Sequence, residues 1–175
     1  MREKQVGNSL IRIIQGDITH QDTEAIVNAA NTRLAPGGGV AGAIHRTAGP
    51  KLWEECKKLN GCKTGEAKIT KGYDLDASYV IHTVGPIYSG TNNDEKQLTS
   101  CYKNSLDLAS IHHLKSISFP AISAGIFGYP IKDVARISLK VIYDWLQQNQ
   151  QIMLVQFVLF DEKDQTVFET ELDRL

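Results

Sequence analysis

The chain has 175 residues, of which 42% are hydrophobic and 22% are charged, and these values suit one globular domain. Nineteen Lys and Arg residues nearly balance twenty Asp and Glu residues, so the net charge of −1 excludes a strong basic surface for nucleic-acid backbones. The first ten residues lack the apolar core of a signal peptide, and the longest apolar stretch, 152–160, is too short to span a bilayer. We therefore expect a single domain over residues 1–175 that is cytoplasmic, monomeric and free of membrane contacts.

The three cysteines are Cys56, Cys62 and Cys101, an odd number that contains no CxxC pair and has no accompanying histidine cluster. In a chain without a secretory signal, this usage is typical of reduced thiols in a cytoplasm. We expect neither a disulfide framework nor a zinc site.

Strands and helices alternate in the predicted order of elements. Apolar and β-branched runs predict strands at 10–14, 25–28, 66–71, 79–84, 116–119 and 152–160. Apolar residues at helical spacing predict helices at 40–48, 51–59, 96–111, 131–146 and 161–172. Polar connections lie at 19–23, with one helical turn, and at 88–94. This alternation favours a sheet packed between two helical layers.

The stretch from 28 to 49 is the one around which the chain is organised. Asn28 and Asn31 follow a short buried strand, and then come Gly37–Gly39 and a helix of small residues. Consecutive glycines lose much backbone entropy on folding, but they permit positive φ and let a ligand approach bare N–H groups. A helix that starts directly behind them adds partial positive charge, so we interpret the loop as a cradle for phosphate. The alternative is a flexible connection with a helix cap.

Two better-known phosphate motifs do not fit. Residues 37–42 match G-x-G-x-x-G, but residues 28–36 separate them from the preceding strand, and no acidic strand end follows at the distance of a dinucleotide-binding unit. Lys63-Thr64 follows Gly61-Cys62, which breaks the P-loop pattern.

Polar residues near the strand ends have open interpretations. The Asp17 carboxylate could accept from an exocyclic amine such as that of adenine, or it could cap the turn that follows. We expect Asn28 to be structural and to tie the loop backbone, which leaves Asn31 free to bind a sugar hydroxyl. His45 and His82 are interpreted as satisfied packing histidines rather than catalysts.

Three residues near the ends of later strands complete the candidates. No G-x-S-x-G pattern surrounds Ser123, so we interpret it as loop structure rather than a nucleophile. Phe127 and Phe160 could stack on a ring, although core packing is the default for either aromatic residue.

Several motifs in order along the whole chain resemble the macrodomain family. They are Gly16-Asp17-Ile18, Asn28-Ala29-Ala30-Asn31, Gly37–Val40 with Ala43-Ile44-His45, His82–Pro86 and Ser123–Gly128. Most of the chain is similar to the MacroD-type branch, while residues 40–42 and 123–128 look more like coronaviral macrodomains. The resemblance implies a three-layer α/β/α sandwich with a mixed, mostly parallel sheet of about six strands, and a cleft for ADP-ribose.

The resemblance also implies a role for each site residue. Asp17, with the Ile18 backbone beside it, would hold the adenine amine, and Phe160 would pack against the base. The diphosphate would lie against backbone amides of the two loops, at Gly38, Gly39, Val40, Ser123, Ala124, Gly125, Ile126 and Phe127. Asn31 would bind the distal ribose beside Phe127. The catalytic residues would be Asn31, Gly39 and Phe127, without metal or cofactor.

Members of the family remove ADP-ribose from modified carboxylate side chains of proteins and deacetylate O-acetyl-ADP-ribose. Many MacroD-type enzymes carry an acidic residue after the valine of the glycine loop, where this chain has Ala41. A general base contributes roughly 10²–10⁴-fold to rate, so its loss affects turnover more than binding. Two functions therefore remain: an ADP-ribosyl hydrolase that uses water held by backbone amides and the diphosphate, or an ADP-ribose reader without catalysis.

Overall fold

The structure is a computed structural model that describes residues 1–175. Its strands are β1 (Arg2–Val6), β2 (Ser9–Gln15), β3 (Ala25–Ala29), β4 (Ala67–Lys71), β5 (Tyr79–Thr83), β6 (Ser116–Phe119) and β7 (Leu154–Leu159). Its helices are α1 (Gly39–Ala48), α2 (Pro50–Lys57), α3 (Asn92–Ile111), α4 (Ile131–Gln148) and α5 (Glu162–Asp173). A short 3-10 helix covers Ile18–His20. Every predicted helix and strand is present, with ends shifted by up to four residues.

All seven strands form one sheet in the order β1-β2-β7-β6-β3-β5-β4. The five central strands run parallel, and β1 and β4 pair antiparallel at the two edges. Because the central strands are parallel, their carboxyl ends meet at one edge of the sheet. In open α/β sheets this is the edge at which ligands bind.

Helices cover both faces of the sheet. On one face, α1 and α2 belong to a core of 14 buried residues that includes Ile44 and Leu52. On the other face, α3, α4 and α5 enclose a larger core of 29 buried residues. β7 lies between the two layers and is almost entirely buried, as expected from a sequence that is apolar except for Gln156. The predicted α/β/α sandwich is confirmed.

The seventh strand, β1, was not among the predicted elements. Its sequence, REKQV, is charged and mostly exposed, because β1 is an edge strand that contributes only Val6 to the core. It pairs with β2 through a tight turn in which Gly7 has a φ of 58°. Polar edge strands of this kind carry little apolar alternation, and they protect the sheet from pairing with other chains.

The helix α3 begins four residues earlier than predicted, inside the segment expected to be a polar loop. Thr91 and Asp94 form a capping box in which each side chain accepts a hydrogen bond from the other residue's backbone N–H. Asp94 also accepts from the N–H groups of Ser89 and Gly90, both over 2.8 Å. None of the five helices has the length and apolar character needed to cross a membrane.

Candidate functional site

A cleft of about 550 Å³ opens at the carboxyl edge of the central strands. Its walls come from the end of β2, the exposed face of α1, the segment after β6, and the end of β7 with the first turn of α5. Seven predicted site residues line it: Asp17, Ile18, Gly39, Val40, Ala124, Gly125 and Phe160. This size and its mixed polar and apolar lining are typical of small-molecule sites.

The other predicted residues do not line this cleft directly. Gly38, Ser123 and Ile126 are next to lining residues in the chain, Phe127 is two residues from Gly125, and Asn31 lies eight residues before Gly39 in the loop after β3. A second hollow, of about 320 Å³, lies between residues 64–66 and α3 and has no hydrophobic lining. None of the predicted site residues contributes to that second hollow.

Asp17 shows that its two proposed roles are compatible. Its Oδ1 atom caps the 3-10 helix by accepting from the Thr19 N–H over 2.9 Å and from the Thr19 hydroxyl over 2.7 Å. These two hydrogen bonds lower the pKa of the Asp17 carboxyl group below its usual value. The Oδ2 atom accepts no hydrogen bond and lies 3.8 Å from His20 Nε2. One carboxylate oxygen is therefore structural, and the other is available to a ligand.

Phe160 follows β7 on the same side of the cleft as Asp17. It is 86% exposed, so the default of core packing is wrong for this residue. An exposed aromatic ring at a cleft can offer its face to a flat ligand.

The glycine loop leads directly into α1. Gly38 is the N-cap and has no side chain with which to cap, and Gly39 adopts a φ of 55° that disfavours residues with a Cβ atom. The N–H groups of Gly39, Val40 and Ala41 donate to no acceptor in the protein. The start of the helix therefore presents unpaired donors and the positive end of its dipole.

Asn31 has the loop-tying role that was predicted for Asn28. Asn31, not Asn28, ties the loop: its Oδ1 accepts from the N–H groups of Arg33 and Ala35 over 3.1 and 3.0 Å, and its Nδ2 donates to the Ala35 carbonyl. The second N–H of the Asn31 side-chain amide has no acceptor. Asn28 is buried and donates to His82 Nδ1 over 3.1 Å, so it does not contact the loop backbone. The prediction that Asn28 secures the loop is therefore wrong.

The segment after β6 faces the glycine loop. The buried Tyr102 hydroxyl holds it by donating to the Pro120 carbonyl and accepting from the Ile122 N–H. Ser123 has a φ of 67°, and the N–H groups of Ser123, Gly125, Ile126 and Phe127 have no acceptor within the protein. The Ala124 N–H donates to the Ala121 carbonyl over 3.3 Å, so this one predicted phosphate donor is already engaged.

Comparisons with known proteins identify the family of the chain. The macro domain family model matches residues 27–138. The chain is 53% identical to a macro domain-containing protein of Chlorobaculum tepidum, over 94% of this chain and 96% of that protein. It is 49% identical to the ADP-ribose glycohydrolase MACROD2 of Xenopus laevis, over 98% of this chain but only 42% of that longer protein.

The chain belongs to the macro domain family. Its fold matches an Oceanobacillus iheyensis macrodomain solved with ADP, at 42% identity and a TM-score of 0.96, over 99% of this chain and 95% of that one. It also matches a Trypanosoma brucei macrodomain solved with ADP-ribose, at 43% identity and a TM-score of 0.87, over 91% of this chain and 68% of that one.

Two buried histidines of this macro domain differ in their surroundings. His82 is satisfied: Asn28 donates to Nδ1, which leaves the ring proton on Nε2, where Thr70 Oγ1 lies at 2.9 Å. Burial, with His45 nearby, lowers the pKa of His82 to about 3. His45 is also buried, and burial lowers its pKa, but neither ring nitrogen has a partner. The prediction of a satisfied packing histidine is confirmed for His82 and wrong for His45.

The macro domain cleft contains two charged side chains that sequence reasoning missed. Arg46 lies on the face of α1 that also carries Gly39 and Ala43, and its helical spacing from the glycine loop could have identified it. Asp164 lies in the first turn of α5, and burial and the nearby Asp161 raise the pKa of its carboxyl group. No three His, Cys, Asp or Glu side chains are grouped so as to hold a metal ion, and the three cysteines are unpaired and buried.

Proposed function

We propose that this macro domain binds ADP-ribose in the cleft. The observation that carries the proposal is the pair of facing loops, whose unpaired N–H groups suit the two phosphates of a nucleoside diphosphate. At one end, the free Oδ2 of Asp17 can accept from the adenine amine beside the exposed ring of Phe160. Beyond the loops, the remaining N–H of Asn31 suits a hydroxyl of the distal ribose, with Phe127 nearby.

We further propose that the domain is a hydrolase. Its substrates would be ADP-ribosyl esters of aspartate and glutamate side chains in mono-ADP-ribosylated proteins, and O-acetyl-ADP-ribose. Water adds at the ester linkage, which releases ADP-ribose and the free carboxylic acid. Asn31 orients the ribose, the backbone at Gly39 and Phe127 holds the reacting end, and the diphosphate helps to position the water. No metal takes part in this scheme.

The second candidate function is a reader that binds ADP-ribose without cleaving its esters. Ala41 favours it, because no carboxylate stands behind the glycine loop to activate water. In either function we propose a monomer of one domain, since one chain supplies the whole cleft. Three reduced thiols fit a cytoplasmic location.

Thermal unfolding with millimolar ADP-ribose tests binding. A ligand at 100 times its Kd stabilises the fold by about 2.7 kcal/mol, so a clear rise in Tm is expected, smaller with AMP and small with NAD. An unchanged Tm would contradict the proposal. Release of ADP-ribose from a protein mono-ADP-ribosylated on glutamate then separates the hydrolase from the reader.

A further inference from the structure

Three apolar side chains are exposed beside the cleft. Ile87 and Tyr88 are 70% and 41% exposed, and Ile126 is 100% exposed. The Tyr88 N–H donates to the Phe127 carbonyl over 2.9 Å, so the segments that carry these residues run side by side. We name Ile87, Tyr88 and Ile126 the apolar rim. Contiguous exposed apolar residues of this kind mark contact surfaces for other molecules.

The rim is built on a fixed backbone. Gly85 packs so closely against the 120–128 segment that a Cβ atom on it would overlap the Ser123 hydroxyl and an Ile122 methyl group. The Tyr88 ring packs against Tyr129, with a centroid distance of 4.9 Å. A surface held in this way can select its partner without first becoming ordered.

The strand order places the rim at one end of the cleft. Asp17 and Phe160 follow β2 and β7, the glycine loop follows β3, and Ile87 follows β5. In the sheet these strands stand in the order β2-β7-β6-β3-β5. Four strand spacings, roughly 19 Å, therefore separate the Asp17 end from the strand that carries the rim. Ile87 and Tyr88 therefore lie beyond the strand that leads into the glycine loop, on the side away from Asp17, and Ile126, which follows β6, is brought beside them by the Tyr88–Phe127 hydrogen bond.

We infer that the apolar rim contacts the polypeptide that carries the ADP-ribose, and that it prefers apolar side chains beside the modified residue. This inference rests on the proposed function, in which adenine lies at the Asp17 end. The distal ribose, to which an acceptor is joined, then points to the opposite end, where the chain of the acceptor meets the rim. This extra contact distinguishes modified polypeptides from O-acetyl-ADP-ribose, because the acetyl group is too small to reach the rim.

Two synthetic peptides test the inference, each ADP-ribosylated on one glutamate that is flanked by leucines or by serines. The wild type should bind the leucine peptide several-fold more tightly and turn it over with a lower KM. Ile87→Ser should abolish this preference while leaving the Kd for free ADP-ribose and the turnover of O-acetyl-ADP-ribose unchanged. Ile111→Ser is the matched control, because Ile111 is 69% exposed at the C-terminal end of the 20-residue helix α3, which is about 30 Å long and begins close to the rim in the chain.

The results that would overturn the inference differ from those that would overturn the proposed function. A leucine preference that survives Ile87→Ser, or an equal loss of affinity for free ADP-ribose, would overturn the inference. So would sedimentation that shows a dimer in the wild type and a monomer in Ile87→Ser, because a second copy would then cover the rim. A wild type that binds neither peptide nor free ADP-ribose contradicts the proposed function itself, and the inference falls with it. A reader that binds without cleaving leaves the affinity comparison intact.

Discussion

On the side of the sheet covered by α3, α4 and α5, buried polar side chains have hydrogen-bond partners. The Tyr102 hydroxyl both donates and accepts, and the Ser105 hydroxyl donates to the Cys101 carbonyl over 2.7 Å. Four buried polar atoms without a partner lie elsewhere, near the carboxyl edge of the sheet. They are Asn28 Oδ1, both ring nitrogens of His45, and Ser123 Oγ.

This difference separates the part of the molecule that provides stability from the part that meets a ligand. A buried polar atom without a partner costs about 1–3 kcal/mol, and native cores contain few of them. The four exceptions lie near the carboxyl edge of the sheet, the edge at which open α/β sheets bind ligands. Sites that bind or react are where such violations of packing rules are expected.

The largest effect on stability should come from a substitution in the core beneath α3, α4 and α5. Leu106 is fully buried in α3, and Leu106→Ala should lower the free energy of unfolding by about 2–5 kcal/mol, measured by urea titration. The Kd for ADP-ribose should not change, because Leu106 is remote from the cleft. Leu106→Met is the control and should cost less than about 1.5 kcal/mol. A folded Leu106→Ala protein with weakened ADP-ribose binding would show that the two sides are energetically coupled.

The second largest effect should be a fall in the free energy of unfolding at acid pH, caused by His82. The pKa of His82 is about 3 in the folded protein, well below the unfolded value near 6.5, because its burial disfavours the charged ring. The unfolded state therefore binds more protons between these values, and stability is complete above pH 6.5 and is lost as the pH falls toward 3. The loss is about 1.4 kcal/mol per pH unit, or roughly 3 kcal/mol by pH 4.5.

Urea unfolding between pH 7 and 4.5 measures this loss, and His82→Gln is the comparison variant. Glutamine can still bond to Asn28 and Thr70 but does not titrate, so its stability should depend less steeply on pH. The remaining slope would include His45, whose pKa is also lowered by burial. Parallel curves for the two proteins would contradict the assignment to His82.

Substitutions at Asp17 and Asn31 should separate binding from catalysis. Asp17→Ala should weaken ADP-ribose binding about tenfold with little change in kcat, because the adenine contact is equal in the ground and transition states. Asn31→Ala should also lower kcat, since Asn31 holds the loop and, under the proposed function, orients the ribose. Isothermal titration and single-turnover release provide the two readouts.

Asn31→Asp is the control, because its carboxylate keeps both acceptor bonds to Arg33 and Ala35. If Asn31→Asp retains the wild-type rate, the role of Asn31 is to hold the loop. If all three variants change only KM, the catalytic assignment of Asn31 is wrong.

How much the sequence reveals depends on whether a signal is local. The three glycines and the helix behind them are neighbours in the chain, so the glycine loop and the helix that starts behind it could be predicted as a unit. The roles of Asn28 and Asn31 depend on where the loop folds back, which no local pattern specifies. The strand β1 was missed because an exposed edge strand needs no apolar alternation, and the unpartnered state of His45 depends on neighbours distant in sequence.

A smaller effect is expected at Arg46, the one cation that lines the cleft beside two carboxylates, Asp17 and Asp164. It forms none of the ion pairs in the structure. Arg46→Gln should weaken ADP-ribose binding roughly threefold at low salt, and the difference should shrink as salt screens the diphosphate. Arg33→Gln removes the same charge from an exposed position that does not line the cleft. Equal losses in both variants would assign the effect to overall charge.

The most specific prediction concerns Ala41, where only turnover is expected to change clearly. Its methyl group is buried in the first turn of α1, one helical turn before His45, whose ring nitrogens lack partners. Ala41→Asp would place a carboxylate at i, i+4 from that ring and near the helix N-terminus, where the dipole favours its ionised form. The carboxylate should raise the pKa of His45 and supply a base for the attacking water. We expect turnover to rise several-fold, while ADP-ribose affinity stays equal or falls slightly through repulsion from the phosphates.

Ala41→Asn is the matched control, because it has the same shape without the charge and should give no gain. The pH profile adds a second readout. In the wild type, the backbone groups and the diphosphate that are proposed to hold the water do not titrate between about pH 5 and 8, so the rate should depend only weakly on pH in this range once the intrinsic lability of the ester is subtracted. Ala41→Asp should introduce a titration into this range. Equal rates in the wild type and Ala41→Asp would show that this cleft needs no carboxylate, whereas loss of ADP-ribose binding would place residue 41 against the phosphates rather than beside the water.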